Sequence, residues 1–227
     1  MDVTALQRAL AAIGEPVVAD GVFGPKSRAA TLAVLKGPTA RLSDAEIKSA
    51  AMAIGASPAV VGAVYDVESG GRGMDAATGL PIILYEPHIF SRLTNHAFDR
   101  SHPVVSYRSW KTRPYPKTQA ERWEQMLDAI ALKPDAALQS ASWGLGQVMG
   151  FNAALCGFST AWDFARAMAS GEGAQFAAML AFIEKKGLVH ALKSRDWRTL
   201  AAGYNGTGQV DLYAGKLAAA YDKRSGI

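Results

Sequence analysis

The chain has almost no cysteine: one residue, Cys156, in 227. No intramolecular disulfide can form, which excludes a small disulfide-stapled scaffold. Inside the apolar stretch 151–158, Cys156 reads as a buried free thiol. No segment reaches the ~18 uninterrupted apolar residues of a membrane span, so no stable membrane insertion is expected. Met1 to Leu6 offer neither a basic run nor a continuous apolar stretch, so no signal peptide is expected. On that reading the protein is made in the cytoplasm with no export route of its own. The four histidines, His88, His96, His102 and His190, form no short metal-ligand pattern such as His-Glu-x-x-His, and there is no glycine-rich phosphate loop. Neither a metal nor a cofactor is expected. Charged residues are few, 19% of the chain. The net charge of +4 and pI near 9.2 suit an anionic partner, but the basic residues include no run of five or more, which disfavours nucleic acid.

Apolar residues make up 49% of the chain, enough for a substantial core, and alanine is abundant in helical company. Val3, Leu6, Leu10 and Ile13 recur at helical spacing, with Gly14 as a stop. Asp20-Gly21-Val22-Phe23-Gly24-Pro25 is dense in turn formers, and Pro25 suits the first position of a helix running to Lys36. After a short linker at 37–40, Ser43 and Glu46 form a capping box. Ser57-Pro58 open an apolar helix that ends at Glu68-Ser69-Gly70-Gly71. Residues 81–85 read as a short strand, and 91–117 show no clean period, a length of irregular chain that is more often functional than decorative. Thr118 and Glu121 form a second capping box before a helix that stops at Pro134. Further helices are expected at 160–170, 174–186, 197–202 and 210–223.

Three small elements carry candidate chemistry. Glu68 ends a mostly apolar helix, where burial and the negative end of the helix dipole both raise a carboxyl pKa. A carboxylic acid still protonated near neutrality can serve as a general acid. Ser142-Trp143-Gly144-Leu145-Gly146-Gln147 combines small residues, which let a ligand approach the backbone, with an amide that both donates and accepts. Tyr204-Asn205-Gly206 offers a ring, a hydroxyl and an amide at a helix end. Each element alone reads more readily as an ordinary helix end or turn.

Taken in order, Glu-Ser-Gly, then Ser-x-Gly-x-x-Gln, then Tyr-Asn-Gly resembles the lysozyme superfamily, closest to goose-type lysozymes and soluble lytic transglycosylases. With Ile83-Leu84-Tyr85-Glu86-Pro87-His88-Ile89-Phe90 added, residues 43–224 look like the phage-type N-acetylmuramidase family. Leu6-Gln7, Leu10 and Asp20-Gly21-x-Phe23-Gly24 resemble the common peptidoglycan-binding module, in a short copy that offers little core of its own. The resemblance implies a mainly α chain: a short helical wall-binding module over 1–40, with Asp20, Gly21, Phe23 and Gly24 toward the wall, then a lysozyme-like catalytic domain over 41–227 with a small β element. It implies hydrolysis of the β-1,4 bond between N-acetylmuramic acid and N-acetylglucosamine in bacterial peptidoglycan by a monomeric endolysin that causes host lysis, acting in the periplasm after release. Glu68 is then the general acid. Glycoside cleavage normally uses a second carboxylate, for which Glu86 is preferred over Asp75. Ser142, Gly146, Gln147, Tyr204 and Asn205 would hold the sugars, and Trp110 and Tyr115 would offer ring faces along a groove. Two alternatives stay open: a lytic transglycosylase, which needs no second carboxylate and leaves 1,6-anhydromuramic ends, and a non-catalytic wall-binding virion protein.

Overall fold

The computed structural model describes residues 1–68, 70 and 72–226. Ser69 and Gly71 of the glycine-rich helix end lie outside these residues. The first two helices, α1 (Val3–Ala12) and α2 (Pro25–Val34), are set by local chemistry. Asp2 caps α1 by accepting the amide of Ala5 at 2.8 Å, and Pro25 takes the first position of α2. Between them the buried side chain of Gln7 organises the turn. Its Oε1 accepts from Gly21 N at 2.8 Å, while its Nε2 donates to Asp20 Oδ1 at 2.9 Å, Val22 O at 3.0 Å and Ser27 Oγ at 3.0 Å. Helix α2 stops at Val34, short of Lys36. Beyond it Gly37 pairs with Gly79 O at 2.9 Å and lies so close to Ala169 that a Cβ would sit 1.7 Å from its carbonyl oxygen. Tertiary packing ends this helix before its sequence period does.

The segment does not own a separate core. Leu6, Leu10, Ala30 and Leu35 belong to one apolar cluster with Ile83, Tyr85, Trp123, Met126, Leu127, Trp143 and Phe164. Arg28 of α2 donates to Glu124 at 2.8 Å and to Asp128 on α6 (Gln119–Leu132). So few residues could not bury enough apolar surface alone, and the contact with α6 supplies what is missing.

A second cluster forms around α3 (Asp44–Ala53), α4 (Pro58–Glu68), α9 (Glu172–Lys185), α10 (Val189–Ser194), α11 (Trp197–Asn205) and α12 (Val210–Ser225). The Ser43–Glu46 capping box is complete. Arg224 near the end of α12 clasps Asp66 at 2.6 and 2.8 Å.

A three-stranded antiparallel sheet, β1 (Ile83–Tyr85), β2 (Ala141–Trp143) and β3 (Val148–Met149), in that order, packs into the first cluster, while Leu145 in the β2–β3 turn belongs to the second. Ile83 faces Trp143 and Tyr85 faces Ala141, while Ser142 faces Met149. The expected strand at 81–85 is β1; β2 and β3 were not anticipated. The remaining helices are α5 (Pro87–Leu93), α7 (Pro134–Gln139) and α8 (Ala161–Ala169). Residues 94–118 contain turns but no helix or strand, held to the body by bonds from Tyr85 Oη to Val105 O and from Gln125 Nε2 to Val104 O, both 2.8 Å.

Candidate active site

Helix α4 is apolar along nearly its whole length, and Val60, Val61 and Val64 are buried in the second cluster. That packing carries its last residue, Glu68, to the seam between the clusters. Tyr204 on α11 packs against both clusters and fixes the seam. Its hydroxyl donates to Gly146 O at 2.6 Å, and its ring meets Phe182 edge-on at 5.6 Å. Gly146 permits this close approach: a Cβ would lie 2.9 Å from the Tyr204 oxygen and 3.0 Å from Met179, so a neighbour would have to move.

The seam opens as a cleft of about 540 Å³, with Val67 and Glu68 from α4, Gly146 and Gln147 from the β2–β3 turn, and Tyr204, Asn205, Gly208, Gln209 and Tyr213 from the C-terminal helices. Asn205, the last residue of α11, donates through Nδ2 to both Glu68 oxygens at 3.3 and 3.2 Å. Burial pushes the Glu68 carboxyl from 4.5 up to about 7, against the opposing pull of the Asn205 amide and the Lys216 ammonium. Desolvation dominates because it penalises the charged form more than one amide bond and one exposed cation can repay. The group is therefore poised near neutrality, with one amide ready to hold its ionised form.

Of the expected sugar-holding residues, Gly146, Gln147, Tyr204 and Asn205 meet at this cleft, and Ser142 stands behind it. Ser142 Oγ donates to Gln147 Oε1 at 2.8 Å, and Gln147 Nε2 donates to Gly144 O at 2.7 Å. The Gln147 amide is thus largely engaged with its own turn, and its backbone sits at φ +47°, a conformation side chains other than glycine adopt at a cost. Gln147 lines the cleft, and its amide braces the cleft wall.

Glu86 is elsewhere. It sits at the residue before α5 without a side-chain capping bond, does not line the Glu68 cleft, accepts the Tyr115 hydroxyl at 2.6 Å and lies 3.2 Å from His88 Nδ1. Burial raises its pKa, and Tyr115 and His88 pull it back. Asp75 is committed to its own loop, accepting from Ala77 N at 3.1 Å, Thr78 N at 2.8 Å and Thr78 Oγ1 at 2.9 Å. Among the described residues lining the cleft, Glu68 is the only carboxylate. Asp20 and Gly24 border a separate hollow of about 450 Å³, Gly21 is bonded to Gln7, and Phe23 packs on the first cluster.

Sequence reasoning missed the supports of the cleft. Buried Glu172 accepts from Gly73 N at 2.7 Å, Tyr65 Oη at 2.8 Å and Leu42 N at 3.2 Å. Buried Gln175 accepts from Leu145 N at 2.8 Å and donates to Gly73 O at 3.2 Å. Together they tie the chain after Glu68 to the β2–β3 turn. The available signal was a polar pair three residues apart on an otherwise apolar helix face. Gln209 and Tyr213 had no such signal, because they belong to no motif.

With this geometry in hand, comparison with known proteins gives one family. The N-acetylmuramidase (Muramidase) family model matches residues 57–225. A solved structure titled "Crystal structure of Burkholderia AP3 phage endolysin" is similar to the chain at 31% identity, with a TM-score of 0.73, over 98% of this chain and 94% of that one. No curated protein matches.

Proposed function

For a chain that belongs to the N-acetylmuramidase family, we propose an endolysin that cuts the β-1,4 bond between N-acetylmuramic acid and N-acetylglucosamine in bacterial peptidoglycan, with Glu68 as general acid. The observation that carries this reading is a carboxyl held near pKa 7 in an open cleft, facing the Asn205 amide. Protonated Glu68 gives its proton to the leaving glycosidic oxygen as an oxocarbenium-like transition state develops. The carboxylate left behind keeps its two contacts with Asn205 and the field of Lys216, so the same groups that restrain the acid stabilise its conjugate base. Tyr204 and the braced Gln147 fix the cleft walls so that the reacting bond meets the acid in one orientation.

The cleft's single carboxylate also favours a second reading. With no partner base among the described lining residues, ionised Glu68 would itself take a proton from the attacking group. That group is a water in a hydrolase and the muramic 6-hydroxyl in a transglycosylase. Glu86 as the second carboxylate, the expectation from sequence, would require the Tyr115 bond to open and the side chain to reach the cleft. The reading also includes action as a monomer on the wall, without nucleic acid or membrane insertion, in the periplasm of a host whose inner membrane other components open.

Digestion of purified peptidoglycan by the unaltered chain and by Glu68→Gln, with mass spectrometry of the products, tests the bond cut and the role of Glu68. Reducing-end muramic acid from the unaltered chain alone is the expected result. Anhydromuramic ends would make the muramic 6-hydroxyl the attacking group and the chain a transglycosylase. Reducing-end glucosamine, or cleavage surviving Glu68→Gln, would contradict the assignment.

A further inference from the structure

The positive excess of this chain is not spread over it. Residues 100–117 carry Arg100, Arg108, Lys111, Arg113 and Lys117 and no Asp or Glu, out of 24 basic and 20 acidic residues in all, which leaves 19 against 20 elsewhere. All five cations are exposed. Arg108 reaches Asp99 at 3.4 Å, and Lys117 lies within electrostatic reach of Glu121. Among them Trp110 is 56% exposed, with Lys111 Nζ 4.7 Å from its ring centre. The segment is nonetheless built in. Val105 and Tyr107 are buried, Tyr115 is bonded to Glu86 at 2.6 Å, and Arg122 Nε holds Pro116 O at 3.0 Å. Three prolines, Pro103, Pro114 and Pro116, restrict it further. Its anchor is the β1 edge of the sheet, whereas the Glu68 cleft adjoins the turn before β3.

We infer that this strap is a second wall-binding surface, taking the carboxylates of peptidoglycan stem peptides on its cations and a sugar face on Trp110. This deepens the muramidase reading and rests on it. Clustered cations concentrate a polyanion by long-range attraction, and an exposed indole supplies a flat apolar face with a polar edge. A peptidoglycan strand, with sugar rings and free carboxylates repeating along its length, presents both chemistries. A membrane surface fits less well: the strap forms no amphipathic helix, and Val104 and Trp110 are its only exposed large apolar side chains.

The test is co-sedimentation with insoluble peptidoglycan, using the Glu68→Gln chain so that the wall stays intact. Adding Arg100→Gln, Lys111→Gln, Arg113→Gln and Lys117→Gln is expected to weaken binding about tenfold at low salt, a gap that closes at high salt as the Debye length shrinks. Trp110→Ala is expected to weaken binding at both salt levels. Should the fourfold variant fail to fold by circular dichroism, wall with amidated stem carboxylates, offered to the chain with its strap intact, is expected to reproduce the low-salt loss. Unchanged binding after either treatment overturns the inference, and so does displacement of the chain from the wall by anionic vesicles or duplex DNA but not by soluble stem peptide. Cleavage of wall by the unaltered chain is scored separately, so a failed strap and a failed muramidase give different results.

Discussion

Glu68 and Glu86 are two carboxylates that burial pushes upward, yet they stand in opposite situations. Glu68 faces an open cleft and meets one amide, Asn205, at 3.2 Å. Glu86 is closed in by a phenol at 2.6 Å and a histidine nitrogen at 3.2 Å. Desolvation alone therefore does not make an acid catalyst. The carboxyl must also face space a substrate can enter, and its partners must leave the proton free to go. Tyr115 uses the Glu86 oxygen to pin an irregular strap to the sheet, which is a structural use of the same physics.

The largest effect expected from this contrast is on rate. Glu68→Gln should lower kcat by about a thousandfold, within the usual range for a general acid, while Glu86→Gln and Asp75→Asn each stay within about tenfold, a barrier change near 1.4 kcal/mol. Turnover on soluble wall fragments measures this, and equal losses at Glu68 and Glu86 would erase the distinction. Next is the amide. Asn205→Ala should lower kcat roughly tenfold and move the alkaline limb of the rate profile upward, because the Asn205 bond favours ionised Glu68. In the unaltered chain that limb should fall through about pH 7, since the acid must be protonated to act.

Stability changes are smaller and opposite in sign at the two sites. The folded-state pKa of Glu68 is raised, so the folded chain binds more protons than the unfolded one between 4.5 and about 7. The resulting cost to stability appears as pH rises through that window and is complete above it. Glu68→Gln should then stabilise the fold at pH 8 by on the order of 1–3 kcal/mol, and by little at pH 4. Tyr115→Phe should destabilise by about 1–2 kcal/mol by removing the donor to Glu86, with kcat unchanged. Thermal unfolding at the two pH values checks both.

What the sequence showed of this arrangement follows a physical line. Features written in local chemistry were legible: the capping boxes at Ser43 and Thr118, Pro25 and Pro58 at helix starts, and the apolar face that brings Glu68 to the helix end. Features made by distant contact were not. Strands β2 and β3, three and two residues long, have too little pattern to read and exist because β1 and the braced turn flank them. The inward amide of Gln147 depends on Ser142 and Gly144 carbonyl geometry. The place of Glu86 at the strand end was legible, whereas its Tyr115 partner, 29 residues away, was not. The charge of the 100–117 strap was visible throughout as composition, but without a run of five adjacent cations it did not stand out.

The most direct test is a ¹³C NMR titration of the side-chain carboxyls in the unaltered chain and in Glu68→Gln. One carboxyl titrating near pH 7 and missing from Glu68→Gln is the expected result. If the resonance lost on that substitution titrates near 4.5, Glu68 is already ionised at neutrality and is not the acid this cleft requires.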